Sequence, residues 1–105
     1  MAEHVRELDI ISAEEAGTLD GLFAERARRT PDAAAYREYD EAEERWQDHS
    51  WRDIERQVAR WQHSLKRDGV GPGDRVAVML RNWTAWVVLD QAAMGLGAVV
   101  VPLYT

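Results

Sequence analysis

Three groups of residues in this 105-residue chain could do chemistry by type and spacing: a cluster of glycines, a scatter of histidines and serines, and a concentration of carboxylates and tryptophans. Gly69, Gly71 and Gly73 have the density of a phosphate cradle, in which bare backbone amides point at an anion. Such a cradle follows a strand and opens a helix. These glycines follow a helical pattern and precede a strand pattern, so they read as a helix C-cap and a tight turn. Gly95 and Gly97 stand in the same setting and read the same way. The one loop that leaves a strand for a helix, Arg81-Asn82, holds no glycine, so a dinucleotide fingerprint is absent.

The other groups fare no better as active sites. His4, His49 and His63 lack the spacing with carboxylates that would place metal ligands on one helix face. Asp48 and His49 adjoin on a strand pattern and so face opposite sides. Surface polarity is the better reading of all three histidines. Ser12, Ser50 and Ser64 lie outside any nucleophile-elbow setting. Lys66, the only lysine, falls near a helix end, where solvation and the helix dipole account for it. Five of the seven positions from Glu38 to Glu44 are acidic. Without the ligand spacing of a calcium loop, they read as a solvated hairpin tip. Of the five tryptophans, Trp61, Trp83 and Trp86 could build a stacking surface, but core packing is the expectation. The paired Trp83 and Trp86 could also cover a domain contact. No catalytic, cofactor-binding or metal-binding residue is assigned.

The elements that would position these residues follow from periodicity. Residues 1–17 show no sustained period and read as a loose arm with at most a helical turn. Thr18 caps a helix carrying Leu19, Leu22, Phe23 and Ala27 on one stripe, stopped at Thr30-Pro31. Ala33 to Tyr39 and Trp46 to His49 form a hairpin pattern. Ser50, with Asp53 three residues on, opens a helix from about Trp51 to Asp68. Its apolar stripe is Ile54, Val58, Trp61 and Leu65. Arg75 to Leu80 reads as a strand buried on both faces, and Trp83 to Met94 as a helix capped by Asn82. Ala98 to Leu103 is a second buried strand. Strand, helix and strand with short connections make a βαβ unit of parallel strands. The fold class is therefore α/β: a β-hairpin, two amphipathic helices and a βαβ unit, as a partial N-terminal domain.

Composition sets the outer limits. With 13 Lys plus Arg against 19 Asp plus Glu, the net charge of -6 argues against a nucleic-acid partner. The absence of Cys excludes disulfide scaffolds and Cys-ligated zinc. From Val76 to Thr105, 21 of 30 residues are apolar and only Arg81 and Asp90 are charged. Asp90 and the breakers Gly95, Gly97 and Pro102 keep this stretch from being a membrane span. A strand pattern so near the end of the chain looks cut rather than finished, because parallel pairs need cover on both faces.

In their order, several segments resemble the AMP-forming acyl-CoA synthetases of the adenylate-forming superfamily. They are Thr18-Leu-Asp-Gly-Leu-Phe23, Arg29-Thr-Pro-Asp-Ala-Ala-Ala-Tyr36 and Ser50-Trp-Arg-Asp-Ile54. Gly71-Pro-Gly-Asp-Arg-Val-Ala-Val-Met-Leu80 follows, then Asn82 and Trp86, and last Met94-Gly-Leu-Gly-Ala-Val-Val-Val-Pro-Leu-Tyr104. The ending Val101-Pro-Leu-Tyr-Thr105 is most similar to the long-chain fatty acid–CoA ligases. The resemblance covers residues 18–105, the first part of that family's large N-terminal domain.

The resemblance implies a parent ligase that uses ATP and Mg2+ to convert a fatty acid to acyl-AMP, then transfers the acyl group to CoA. The family's phosphate loop and its lysines are absent from this chain, and Lys66 matches neither lysine. The chain alone is then expected to be structural and inactive, to bind none of these cofactors, and to have the remainder of the parent as its partner. Self-association through the strand at Val99 to Val101 is a further expectation. The expected location is cytoplasmic, with the parent allowed at a membrane surface. Two rival readings stand beside this one. The first is a different adenylate-forming enzyme, for a short-chain, aryl or amino acid. The second is a free-standing protein-interaction module.

Overall fold

A computed structural model describes residues 9–104. Its elements run α1 (Ala13–Ala16), α2 (Leu19–Arg29), β1 (Ala34–Asp40), β2 (Arg45–Ser50), α3 (Trp51–Arg67), β3 (Arg75–Val78), α4 (Thr84–Gly95) and β4 (Val99–Pro102). β1 and β2 form an antiparallel hairpin, and β3 pairs with β4 in parallel, from Arg75 beside Val99 to Val78 beside Pro102. The α/β class and the βαβ unit are as expected. Among the described residues no helix is long and apolar enough to cross a membrane.

Helix starts follow local chemistry. The Thr18 hydroxyl accepts from the Gly21 amide at 3.0 Å. Ser50 and Asp53 form a reciprocal capping box, and so do Ser12 and Glu15 at the single-turn α1. α3 stops at Asp68, and Gly69 takes a φ of +93°, a conformation that a Cβ disfavours.

The core is small. Ile54 and Val58 of α3 meet Val88 and Ala92 of α4, with Phe23, Ala35, Tyr36 and Leu65 packed around them. Spacing of four residues puts Thr84, Val88 and Ala92 on one face of α4, and all three are buried. Ala93 and Ala98 bury where α4 returns to β4, and Val78 is the buried end of β3. At Gly95, a Cβ would run into the Gln62 amide, so the missing side chain leaves space in which that amide sits.

Four expectations need correction. Trp61, placed on the apolar stripe of α3, is 49% exposed, because α4 meets α3 on the Gln62 side and nothing described covers the indole. Trp83 is likewise open, at 47% exposed, instead of packed in the core. β3 ends at Val78, leaving Met79 and Leu80 exposed, and Val99 of β4 is half-exposed. Among the described residues only α4 packs against this two-stranded sheet, so the face away from α4 is open.

Residues 1–8 of the expected arm lie outside the described residues. Asp9 pairs with Arg26 at 2.9 Å and with Arg29 at 2.8 Å, and Glu15 reaches Arg29 at 3.1 Å. Arg28 and Arg29 hold the Glu25 carboxyl down to about 2. Arg29 and Arg26 lower that of Asp9, and the Ser12 amide leads the groups that lower Glu15. Carboxylates depressed in the folded state stabilise it above their unfolded pKa and lose that contribution as pH falls through the folded value.

Two outcomes follow. Thermal stability should be level from neutral pH to about pH 5 and then fall between roughly pH 4 and 2, with amide exchange rising first at residues 9–29. A Tm that rises on acidification in that window would contradict this ion network. Truncating Ile54 to Ala, at a fully buried position, should cost about 2–5 kcal/mol in denaturant titration.

Candidate functional site

In an α/β fold the natural place for an anionic ligand is the loop that leaves a strand and enters a helix, because the first helical amides are free. Here that loop is Arg81-Asn82-Trp83, between β3 and α4. Asn82 is not the cap. The N-cap is Trp83, whose side chain makes no capping hydrogen bond. The cap comes instead from the hairpin: the Thr84 amide donates to Glu38 Oε1 at 3.0 Å, across 46 positions of sequence. A carboxylate at this end also suits the helix dipole.

Glu38 has a second neighbour. Its Oε2 lies 3.7 Å from His49 Nε2, on the partner strand of the hairpin. The His49 side chain is only 18% exposed, and its Nε2 is buried without a hydrogen-bond partner. This corrects two readings. His49 is not a surface histidine, and the acidic run is not solvated throughout, since Glu38 is turned inward. The rest of the run is open: Asp40 Oδ1 accepts from the Ala42 and Glu43 amides at the turn, and Glu41, Glu43 and Glu44 are exposed. Asp48, facing the other way, pairs with Arg37 at 2.7 Å, and that guanidinium lowers its carboxyl.

Beside the cap lies an open cleft of about 820 Å³ between the hairpin and the start of α4. Tyr39 and Trp46 meet edge to face on one wall at 5.4 Å between ring centroids, and the Arg81 guanidinium lies 5.4 Å from the Trp83 ring on the other. A second hollow, of about 420 Å³, lies among α2, Trp51 and α4 and is mostly apolar. Asp90 lies on it, and burial raises the Asp90 carboxyl above the ordinary aspartate range. The Tyr36 hydroxyl is raised by its own burial and then by the Asp90 charge.

The remaining motif residues are structural in placement. Gly73 donates its amide to the Gly97 carbonyl at 3.0 Å, and Gly71 to Asp74 Oδ2 at 2.7 Å, so the two glycine groups make one stacked turn ahead of β3 and β4. Ser12 and Ser50 cap helices, His63 and Lys66 are exposed on α3, and His4 lies outside the described residues. Among the described residues no three His, Cys, Asp or Glu side chains gather as a metal site. The residues present do not fit ATP phosphates or Mg2+: the one helix end suited to an anion is filled by Glu38, and no glycine amides flank it. The Glu38 cap and the partly buried Asp90 escaped sequence reasoning. The only signal of Asp90 was a charge placed in an otherwise apolar run, and Glu38 was hidden at the head of the acidic run.

With that geometry in hand, likeness to known proteins is informative. The family described as AMP-binding enzyme matches residues 23–105. Enterobactin synthase component F of Escherichia coli O157:H7 is 39% identical over 88 residues, which are 84% of this chain and 6% of that protein. A fatty acyl CoA synthetase of Mycobacterium tuberculosis superposes with a TM-score of 0.72 at 25% identity, over 85% of this chain and 17% of its own. The fatty acid AMP ligase of Legionella pneumophila reaches a TM-score of 0.78 at 18% identity, over 90% of this chain and 17% of its own, a likeness of fold alone. The chain thus spans about 6% of the length of the curated relatives it matches.

The borrowed cap is testable. Replacing Glu38 with Ala should destabilise the protein by about 1 kcal/mol, the usual worth of a helix cap, and Glu38→Gln by less. Asn82→Ala should change little. If Asn82→Ala costs more than Glu38→Ala in matched denaturant titrations, the cap assignment is wrong.

Proposed function

Because the chain belongs to the AMP-binding enzyme family, we propose that it is the opening part of the large N-terminal domain of an ATP-dependent acid–thiol ligase. The observation that carries this is the family match across residues 23–105, with the strand and helix order of such domains. The chemistry asks for two steps. A carboxylate is a poor electrophile, so it attacks the α-phosphate of ATP and expels pyrophosphate. A thiol, CoA in the long-chain reading, then displaces AMP from the mixed anhydride.

No step of that reaction is routed through the residues described here, which do not fit the nucleotide or its metal. Their contribution is architectural. The hairpin caps α4, and α4 fixes β3 and β4 as the first parallel strands of a larger sheet. The bare edges of β3 and β4 and the exposed Met79, Leu80, Val99 and Leu103 are the surface on which the rest of the parent would continue. A cytoplasmic location belongs to the same reading.

For the acid, a long-chain fatty acid is the first reading. It is supported by the ending Val101-Pro-Leu-Tyr-Thr105 and by the likeness to a fatty acyl CoA synthetase at 25% identity. A second reading, an aryl or amino acid, is favoured by the 39% identity to a protein named as an enterobactin synthase component. The two separate in one assay. The full protein that carries this chain should catalyse pyrophosphate–ATP exchange dependent on added acid, with long-chain fatty acids in the first reading and with aryl or amino acids in the second. Exchange with none of them would overturn the ligase reading. The 105-residue chain alone should show no exchange and should elute above monomer size in gel filtration. A monomer that melts cooperatively would favour a free-standing interaction module instead.

A further inference from the structure

The hollow among α2, Trp51 and α4 has features that the ligase reading does not use. Its back is an aromatic row: the Trp51 ring lies 6.1 Å from Phe23 and 5.8 Å from Tyr36, tilted to one and edge-on to the other. All three rings line the hollow, together with Asp90 and Gln91. Among the described residues Asp90 has no ion-pair partner, and Gln91 Oε1 is buried with no hydrogen bond. Arg26, the one cation on this wall, is already committed to Asp9 at 2.9 Å. The hollow therefore combines three aromatic rings, a carboxylate with no ion-pair partner and an unsatisfied carbonyl, and its one cation is already engaged.

We propose that this hollow is a binding site for an alkylated ammonium group on a short apolar stem. Each feature selects for that chemistry. Aromatic faces attract a cation within about 6 Å of the ring centroid, and the attraction grows as water is excluded. Asp90 supplies the counter-charge in a place where burial leaves it poorly solvated, so a cation there gains more than it would at the open surface. A bare ammonium holds its water strongly and needs several acceptors. A methylated one sheds water readily, and its methyl groups suit the apolar wall. The volume, about 420 Å³, falls within the usual range for small-ligand pockets.

The test uses choline and its uncharged isostere 3,3-dimethylbutan-1-ol, titrated separately into the protein and followed by NMR at the Trp51 and Tyr36 rings. Choline should bind roughly tenfold tighter than the alcohol, the ratio a modest cation–π and ion-pair contribution gives. Asp90→Asn should bring the two probes to within about twofold. That variant removes a partly desolvated charge without changing shape, so it should fold at least as well as the parent. Trp61→Ala, on an exposed face of α3, should leave both affinities unchanged. Equal affinity of the two probes, no shift at Trp51 and Tyr36, or selectivity that survives Asp90→Asn would each overturn the site.

Discussion

The contact between Ile54 and Val58 on α3 and Val88 and Ala92 on α4 is the one on which the rest of the structure hangs. A two-stranded sheet is marginal in water unless it packs on something. This chain has two such sheets, and they do not pair with each other. The hairpin is held at one end of α4 through Glu38, and β3 and β4 are held along and beyond it through Val78, Ala93 and Ala98. Remove the α3–α4 contact and both sheets lose their support together. Close to that contact, the absence of a side chain at Gly95 leaves room for the Gln62 amide of α3.

This also explains what was legible in the residues and what was not. Local rules carried the helix starts: Thr18, Ser50 and Asp53 cap as their types and spacing dictate. The Gly69 to Gly73 turn and the βαβ order follow from breakers bounding apolar runs, which again is local information. Burial was harder. The apolar run at Val76 to Leu80 reads the same whether neighbouring strands are at hand or not, because pattern reports what a segment is built to meet. Met79, Leu80 and Val99 are suited to cover that the described residues do not provide. Trp61 and Trp83 were misread for the same reason.

The site features escaped for a different physical reason. A cap from Glu38 to Thr84 spans 46 positions, and nothing in the spacing of either residue foretells it. Asn82 stood one residue from the helix start and had the right chemistry, so a local rule preferred it. The structure prefers the ionised acceptor, whose hydrogen bond is charge-assisted and which the helix dipole also favours. The partly buried Asp90 was legible only as an interruption in an apolar run. Interruptions of that kind are where function or strain collects, which is why its unpaired carboxylate draws attention once the aromatic row beside it is seen.

The Glu38 cap governs what the start of α4 can hold. A helix N-terminus after a parallel strand is a ready anion site, and an AMP-binding enzyme has a use for one. At α4 that capacity is consumed internally. A carboxylate of the hairpin takes the Thr84 amide, and His49 Nε2 sits 3.7 Å behind it. A phosphate approaching α4 would meet a fixed negative charge instead of free amides. The same interaction that fills this helix end fastens the hairpin to the first crossover helix. Holding and binding are therefore exclusive uses of this helix end, and the chain is committed to holding.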